Sequence, residues 1–211
     1  MLIGNPSLWL NKFINLEEKL LLRISHVWPN CKKGINSSSL ENNITNNLVY
    51  ALQKDTQVRT LGMIIPQYTL LDKDKVGDVV TKGIIDFALF IRLDHDVYLA
   101  YECKRLNVIY KNKKHSLSSE YVDEGMMRYI SAQYAKKLPI GIMLGYVMDN
   151  DTLSAEKSIK KSINNKNTIL CCVKDSFTDL VNQNNLINFS TSHTRINNAT
   201  FQIRHALLPL M

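Results

Sequence analysis

Gly83-Ile84-Ile85-Asp86-Phe87 and Leu99-Ala100-Tyr101-Glu102-Cys103-Lys104-Arg105 are two segments in which charge interrupts apolar residues at strand-like alternation. They read as neighbouring strands over about 81 to 92 and about 96 to 106, joined by the polar connection Leu93-Asp94-His95-Asp96. A buried strand rarely carries charge without a reason, because an unpaired ionised group in the interior is costly. The spacing is D-x15-E-x-K. On an alternating strand Glu102 and Lys104 point to one face, and Tyr101, Cys103 and Arg105 to the other. If Asp86 faces the same way, the two carboxylates share a divalent cation and Lys104 lies beside the water it polarises. All-oxygen ligands of this kind suit magnesium. Such an ion lowers the pKa of bound water and clamps phosphate oxygens as charge builds in the transition state. A structural ion pair of Lys104 with Asp86 or Glu102 accounts for the same spacing.

Working outward, Trp9, Leu10, Phe13, Ile14, Leu20, Leu21 and Ile24 recur at helical intervals and predict an amphipathic helix over about 7 to 25. Pro29 to Ser39 reads as a loop. Leu40, Ile44, Leu48, Ala51 and Leu52 then define one face of a helix over about 38 to 54. Leu61 to Leu71 is β-rich, and its Pro66 indicates an edge position or a bulge. After the strand pair come a lysine-rich loop from Lys111 to Ser119, a helix over about 120 to 137 and a strand from Ile140 to Met148. A basic helix near 153 to 163 and a strand over 168 to 174 follow, with apolar runs beyond them. The fold class is α/β, with a mixed central sheet flanked by helices. The chain is read as one domain over 1–211, with a helical segment over 1–30, a core over 38–150 and a C-terminal extension over 151–211.

The 211 residues are 45% hydrophobic, enough for one sizeable core. Lys and Arg number 26 against 19 Asp and Glu, a net charge of +7 that favours a polyanionic partner. Cys31, Cys103, Cys171 and Cys172 show no C-x-x-C spacing, which argues against a zinc site. The N-terminus does not read as a signal peptide, so a reducing cytoplasm is expected. The longest apolar run, Leu138 to Met148, is too short to span a bilayer and reads as a buried strand, so no membrane partner is expected.

Ile85-Asp86 followed by Tyr101-Glu102-Cys103-Lys104 resembles the signature of the PD-(D/E)XK, or restriction-endonuclease-like, nuclease superfamily. The order of elements also looks like the αβββαβ core of that superfamily, here with an N-terminal helix and C-terminal strands. The resemblance implies a magnesium-dependent phosphodiesterase, with manganese able to substitute. It implies Asp86, Glu102 and the Cys103 backbone carbonyl as metal ligands, and Lys104 as the catalytic lysine. Ser38-Ser39-Leu40-Glu41-Asn42-Asn43-Ile44-Thr45 looks like the segment that supplies a further acidic residue, here Glu41. The stretch from Tyr121-Val122-Asp123-Glu124-Gly125-Met126-Met127-Arg128-Tyr129-Ile130 through Gly145-Tyr146-Val147 is similar to restriction and phage-defence nucleases. The resemblance covers about 38 to 147 and departs from the superfamily in having no proline before Asp86.

Glu41 has a second explanation, since Ser38-x-x-Glu41 is a capping box. Gln133 falls among Val122, Met126, Tyr129, Ile130 and Tyr134 on a helical wheel. It either reaches the metal-bound phosphate and Lys104 or bonds to backbone. Gly125 and Arg128 share another face, with Arg128 a phosphate ligand or a solvated surface residue. Lys104, Arg105, Lys111, Lys113 and Lys114 form a run fit to track a phosphate backbone or simply to face water. Lys157, Lys160, Lys161 and Lys166 form a second such set. His193 and His205 could meet across a strand pair without defining a metal site, and Cys171-Cys172 reads as apolar filler. The expected function is a metal-dependent nuclease acting on nucleic acid, DNA in preference to RNA. With no helix-turn-helix, zinc finger or ATPase motif, specificity or regulation falls to a protein partner or a homodimer. The alternative is a catalytically silent nucleic-acid-binding or scaffold subunit of the same fold.

Overall fold

The computed structural model describes residues 9–91, 96–181, 184, 186–195 and 200–210. The Leu93-Asp94-His95 part of the strand connection and the first residues of the N-terminal helix segment lie outside them.

Helices α1 (Leu10–Cys31), α2 (Glu41–Lys54) and α3 (Thr56–Leu61) precede strands β1 (Met63–Lys73), β2 (Val79–Phe90) and β3 (Tyr98–Leu106). A small hairpin of β4 (Val108–Tyr110) and β5 (Lys113–His115) follows. Next come a helical segment made of α4 (Ser118–Glu120), a π-helix (Tyr121–Met126) and α5 (Met127–Ile130), then β6 (Ile140–Val147) and α6 (Thr152–Asn165). Strands β7 (Cys172–Asp179), β8 (Ile187–Thr194) and β9 (Thr200–Pro209) complete the order. Seven strands form one mixed sheet in the order β1-β2-β3-β6-β9-β8-β7. The β3, β6 and β9 strands run parallel, and the outer pairings are antiparallel. Every residue of β6 is buried, which is why its sequence is an unbroken apolar run and not an alternation.

Alternation along β6 assigns the two faces. Tyr146 stacks on Trp28 of α1 and shares a hydrogen bond with Thr45 of α2 at 3.0 Å. On the opposite face, a Cβ at Gly141 would run into the Tyr129 ring at 2.4 Å, and one at Gly125 would meet Met143 at 2.3 Å. Small residues at these two points let the π-helical segment and α5 lie directly against the sheet. The buried pair Glu17–Arg204, at 2.5 Å, ties α1 to β9.

Several boundaries differ from the sequence reading. The first helix continues through Pro29 to Cys31, because Trp28 is held there by its ring stack and by donating to the Pro209 carbonyl at 2.7 Å. The second begins at Glu41, not Ser38. Ser38 is turned back to the Asn36 side chain through both its N–H and hydroxyl. Helix α3 has no counterpart among the expected elements, although Asp55 caps it by accepting from Gln57 and Val58 N–H. The lysine-rich stretch from Lys111 to Ser119 is not all loop: it supplies the turn and second strand of the β4–β5 hairpin, with Lys111 and Asn112 both at positive φ in a two-residue turn.

The expected helix over 120 to 137 stops at Ile130. Ala132 and Ala135 take positive φ, and the buried Arg195 guanidinium holds the turn by donating to the carbonyls of Tyr129 (2.8 Å), Tyr134 (3.2 Å) and Ala135 (2.7 Å). The strand expected over 168 to 174 begins only at Cys172, since Cys171 sits at positive φ in a turn. Cys171 is exposed, not filler. Pro66 lies on the edge strand of the sheet, as its chemistry requires. Among the described residues no helix is long and apolar enough to cross a membrane.

Candidate functional site

The β2–β3 ladder pairs Phe90↔Tyr98 through Phe87↔Tyr101 and then ends. One step further, Asp86 and Glu102 occupy opposed positions on the same face, where the strands have parted. On the other side of β2 the ladder skips the Gln67/Asp86 step as well, and Gln67 has φ +44°. Asp86 therefore sits just past the end of the β3 ladder and at a one-residue gap in the β1 ladder, which resumes at Tyr68↔Ile85. Its Oδ2 accepts the Cys103 backbone N–H at 2.6 Å, replacing the ladder carbonyl that is missing there. A residue's C=O points to the same strand edge as its N–H, so the Cys103 carbonyl also faces this wedge.

Glu102 is fully buried. Its Oε1 receives Lys104 Nζ at 2.8 Å and Arg128 Nη1 at 2.8 Å, while Oε2 is buried without a hydrogen-bond partner. Lys104 Nζ also lies 3.2 Å from Glu41 Oε1 and 3.1 Å from the Cys103 carbonyl. Glu41, in the first turn of α2, uses its other oxygen to accept the Arg105 backbone N–H at 2.9 Å. The first residues of α2 are thereby tied to β3, and the capping-box explanation of Glu41 is corrected: Leu40 is the cap position and makes no side-chain bond.

Three carboxylates and two cations converge here, and the electrostatics follow from burial. Glu102 is pushed up to about 7, first by burial and then by the neighbouring Asp86 carboxylate, with Lys104 working against both. Asp86 is likewise raised by burial, opposed by the Cys103 N–H and Lys104. Burial works against the charge of Lys104, but Glu102 and Glu41 outweigh it and hold the ammonium above its ordinary value. The cluster is acid-rich and short of positive charge, with a desolvated carboxylate oxygen left unpaired. A hard cation held by Asp86 and Glu102 would remove the like-charge strain between them. Among the described residues no group of three or more His, Cys, Asp or Glu side chains converges closely enough to cage an ion alone. Two carboxylates and a carbonyl would leave the remaining positions to water or substrate, the arrangement magnesium prefers.

Asp86, Glu102, Lys104, Glu41, Arg128 and the Cys103 backbone are thus brought together. Gln133 is not. It lies in the turn after α5 and donates to the Lys82 carbonyl at 2.7 Å, the backbone-bonded reading of that residue. Arg105 directs its guanidinium to the Ser39 carbonyl at 3.1 Å. Lys111 lies over the exposed Tyr110 ring and Lys113 is exposed, both on the β4–β5 hairpin. Lys114 is committed to Asp149 (2.6 Å) and Asp151 (3.2 Å). In the second basic set, Lys160 pairs with Glu156 and Asp179, and Lys166 with Asp123.

His193 and His205 do meet, through the Thr191 hydroxyl at 2.8 and 3.0 Å. Because His193 Nδ1 faces the Leu170 carbonyl, its Nδ1 carries the proton. Thr191 then donates to His193 Nε2, His205 Nε2 donates to Thr191, and Tyr121 donates to His205 Nδ1. The chain is buried and satisfied, a structural role.

Tyr134 joins the site without having been among the candidates from sequence. Its hydroxyl accepts from Arg128 Nη1 at 3.0 Å and donates to the Ile84 carbonyl, linking Arg128 to β2. A Cβ at Gly83 would collide with Gln133 at 2.6 Å and Tyr134 at 2.7 Å, so that glycine is the readable trace of the contact. Comparison with known proteins finds no matching family model, curated protein or solved structure.

Proposed function

We propose that this chain is a metal-dependent nuclease of the PD-(D/E)XK superfamily, hydrolysing phosphodiester bonds in nucleic acid with magnesium, or manganese in its place. The observation that carries the reading is the fully buried Glu102, whose Oε2 has no partner while Asp86 lies at the opposed strand position. An ion pair serving stability alone has no use for two like charges held together out of water. The sequence of α2, β1, β2, β3, a helical segment and a β6 parallel to β3 agrees with the αβββαβ core that the resemblance implies.

Asp86, Glu102 and the Cys103 carbonyl would hold the ion, which supplies a water of lowered pKa and a clamp on phosphate oxygens. Lys104, pinned by Glu102, Glu41 and the Cys103 carbonyl, cannot wander, and its ammonium remains protonated at neutral pH. It would therefore act as a fixed positive charge and hydrogen-bond donor beside the scissile phosphate, stabilising the pentavalent oxyanion and orienting the attacking water. Glu41 acts one step removed, positioning Lys104 and closing α2 onto β3. The net charge of +7 and the exposed lysines of the β4–β5 hairpin favour a polyanionic substrate.

The test uses plasmid DNA first and RNA second. Purified protein should nick or cut with magnesium or manganese and stop with chelator. Asp86→Ala and Lys104→Ala should be inactive while retaining a native circular dichroism spectrum. Absence of metal-dependent cleavage of either polymer overturns the reading.

A further inference from the structure

The two cations on Glu102 Oε1 are held very differently. Lys104 has further anchors in Glu41 and the Cys103 carbonyl, and its side chain is 12% exposed. Arg128 binds Glu102 through Nη1 at 2.8 Å and Tyr134 through the same nitrogen at 3.0 Å, and its side chain is 33% exposed. The remaining face of the guanidinium lies against the Tyr134 ring, 5.5 Å from its centroid. Arg128 lies two residues before the end of the helical segment at Ile130, next to the turn that follows. Of the two cations, Arg128 thus has the more open route to solvent, and it stands on the acid that the proposed ion needs.

The geometry points to Arg128 as a charge gate. In the metal-free protein it neutralises Glu102, and when a divalent cation engages that carboxylate Arg128 turns outward to a phosphate of the nucleic acid. This rests on the nuclease reading and adds to it a coupling between metal and substrate binding. A guanidinium and a divalent ion repel each other when they share one carboxylate out of water, so each opposes the other there. Phosphate offers the displaced guanidinium a bidentate partner of equal quality. Metal binding therefore presents Arg128 to the substrate. By reciprocity, a substrate that captures Arg128 clears the carboxylate for metal.

The experiment measures Mn2+ binding by the electron paramagnetic resonance signal of the free ion. It compares wild type, Arg128→Gln and Asp86→Ala, with and without a duplex DNA oligonucleotide carrying phosphorothioate linkages. Wild type should bind Mn2+ about tenfold more tightly with DNA than without, within the usual range of coupling. Arg128→Gln should bind Mn2+ about tenfold more tightly than wild type in the absence of DNA, and DNA should then add little. Removing a cation from Glu102 favours metal binding even where the arginine never moves, so the reading that separates a gate from a fixed arginine is the loss of the DNA enhancement in Arg128→Gln. Tyr134→Phe, which loosens Arg128 without deleting it, should shift Mn2+ affinity in the same direction by a smaller factor. It carries the test if Arg128→Gln does not fold. Wild-type binding that is abolished in Asp86→Ala but is equal or weaker in Arg128→Gln and Tyr134→Phe overturns the gate and leaves the metal site standing. No Asp86-dependent Mn2+ binding in wild type overturns both.

Discussion

Asp86 Oδ2 and the backbone N–H of Cys103 stand 2.6 Å apart at the point where β2 leaves β3, so a side chain completes a ladder that the backbone abandons. The same carboxylate has two separable duties, one structural and one chemical. Asp86→Asn keeps an acceptor for the N–H and removes a burdened charge, so it should unfold in denaturant at or above the wild-type midpoint. Asp86→Ala leaves a buried donor unpaired and should cost about 1–3 kcal/mol. Both should lose Mn2+ binding. Equal stability of the two variants would contradict the bond.

Burial of Glu102 makes a prediction about pH. Its folded pKa of about 7 stands above the unfolded 4.5, so the folded state binds a proton that the unfolded chain has released. The contribution is fully present below about 4.5 and is lost as pH rises through about 7. Asp86, raised by its burial, acts with the same sign, as does the buried Glu17, which burial raises to about 7 despite Arg204. In chelator, the thermal midpoint should therefore drop as pH is raised from about 4.5 to about 7. Glu102→Gln should flatten that dependence, removing on the order of 3 kcal/mol of the stability change across the window. Parallel slopes for variant and wild type would count against this assignment.

Glu41 and Lys104 are joined at 3.2 Å across 63 positions of sequence, and Lys104 draws on Glu102 as well. A double-mutant cycle on Glu41→Gln and Lys104→Met should show a coupling of roughly 0.5–3 kcal/mol in stability. In cleavage, Glu41→Gln should be impaired and Lys104→Met inactive. Additive effects on stability would mean that the pair carries no energy of its own.

The lysines of the β4–β5 hairpin divide by their partners. Lys111 and Lys113 have no acidic partner among the described residues, whereas Lys114 is bonded to Asp149 and Asp151. Replacing Lys111 and Lys113 with Ala should weaken nucleic-acid binding and lower the salt slope by about 1 for each phosphate left without its lysine, with an unaltered thermal midpoint. Lys114→Ala should lower the midpoint of the hairpin's own melting, read by hydrogen exchange. An unchanged salt slope in the double variant would remove the hairpin from the binding surface.

The groups on one strand are legible because period-two alternation is a local rule. Glu102 and Lys104 share a face by spacing alone, and their meeting at 2.8 Å follows from it. The α/β class is legible from the alternation of helical and strand periods. What escapes a reading of the sequence is set by distant residues. Arg195 ends the helix near Ile130 by capturing carbonyls some 60 positions earlier, and nothing between 120 and 137 announces it. Gln133 falls on a helical wheel that does not exist at that position. The Ser38-x-x-Glu41 pattern matches a capping box, yet Lys104 and the Arg105 N–H compete for the same carboxylate and win it. Ala132 and Ala135 in left-handed conformation carry no sequence signature at all.

The parting of β2 from β3 beyond the Phe87↔Tyr101 pair also makes the site a report on assembly. A slip of β2 by one residue against β3 would turn Asp86 to the opposite face and put Ile85 or Phe87 in its place. The second helix, the second and third strands and the segment after the hairpin all contribute charge, and each charge lacks its counterpart until the last of them docks. An incompletely paired sheet therefore has scattered surface charges and no cation-binding centre. Competence arrives in one step with the correct register, so chains caught in misaligned intermediates are chemically silent while they remain so.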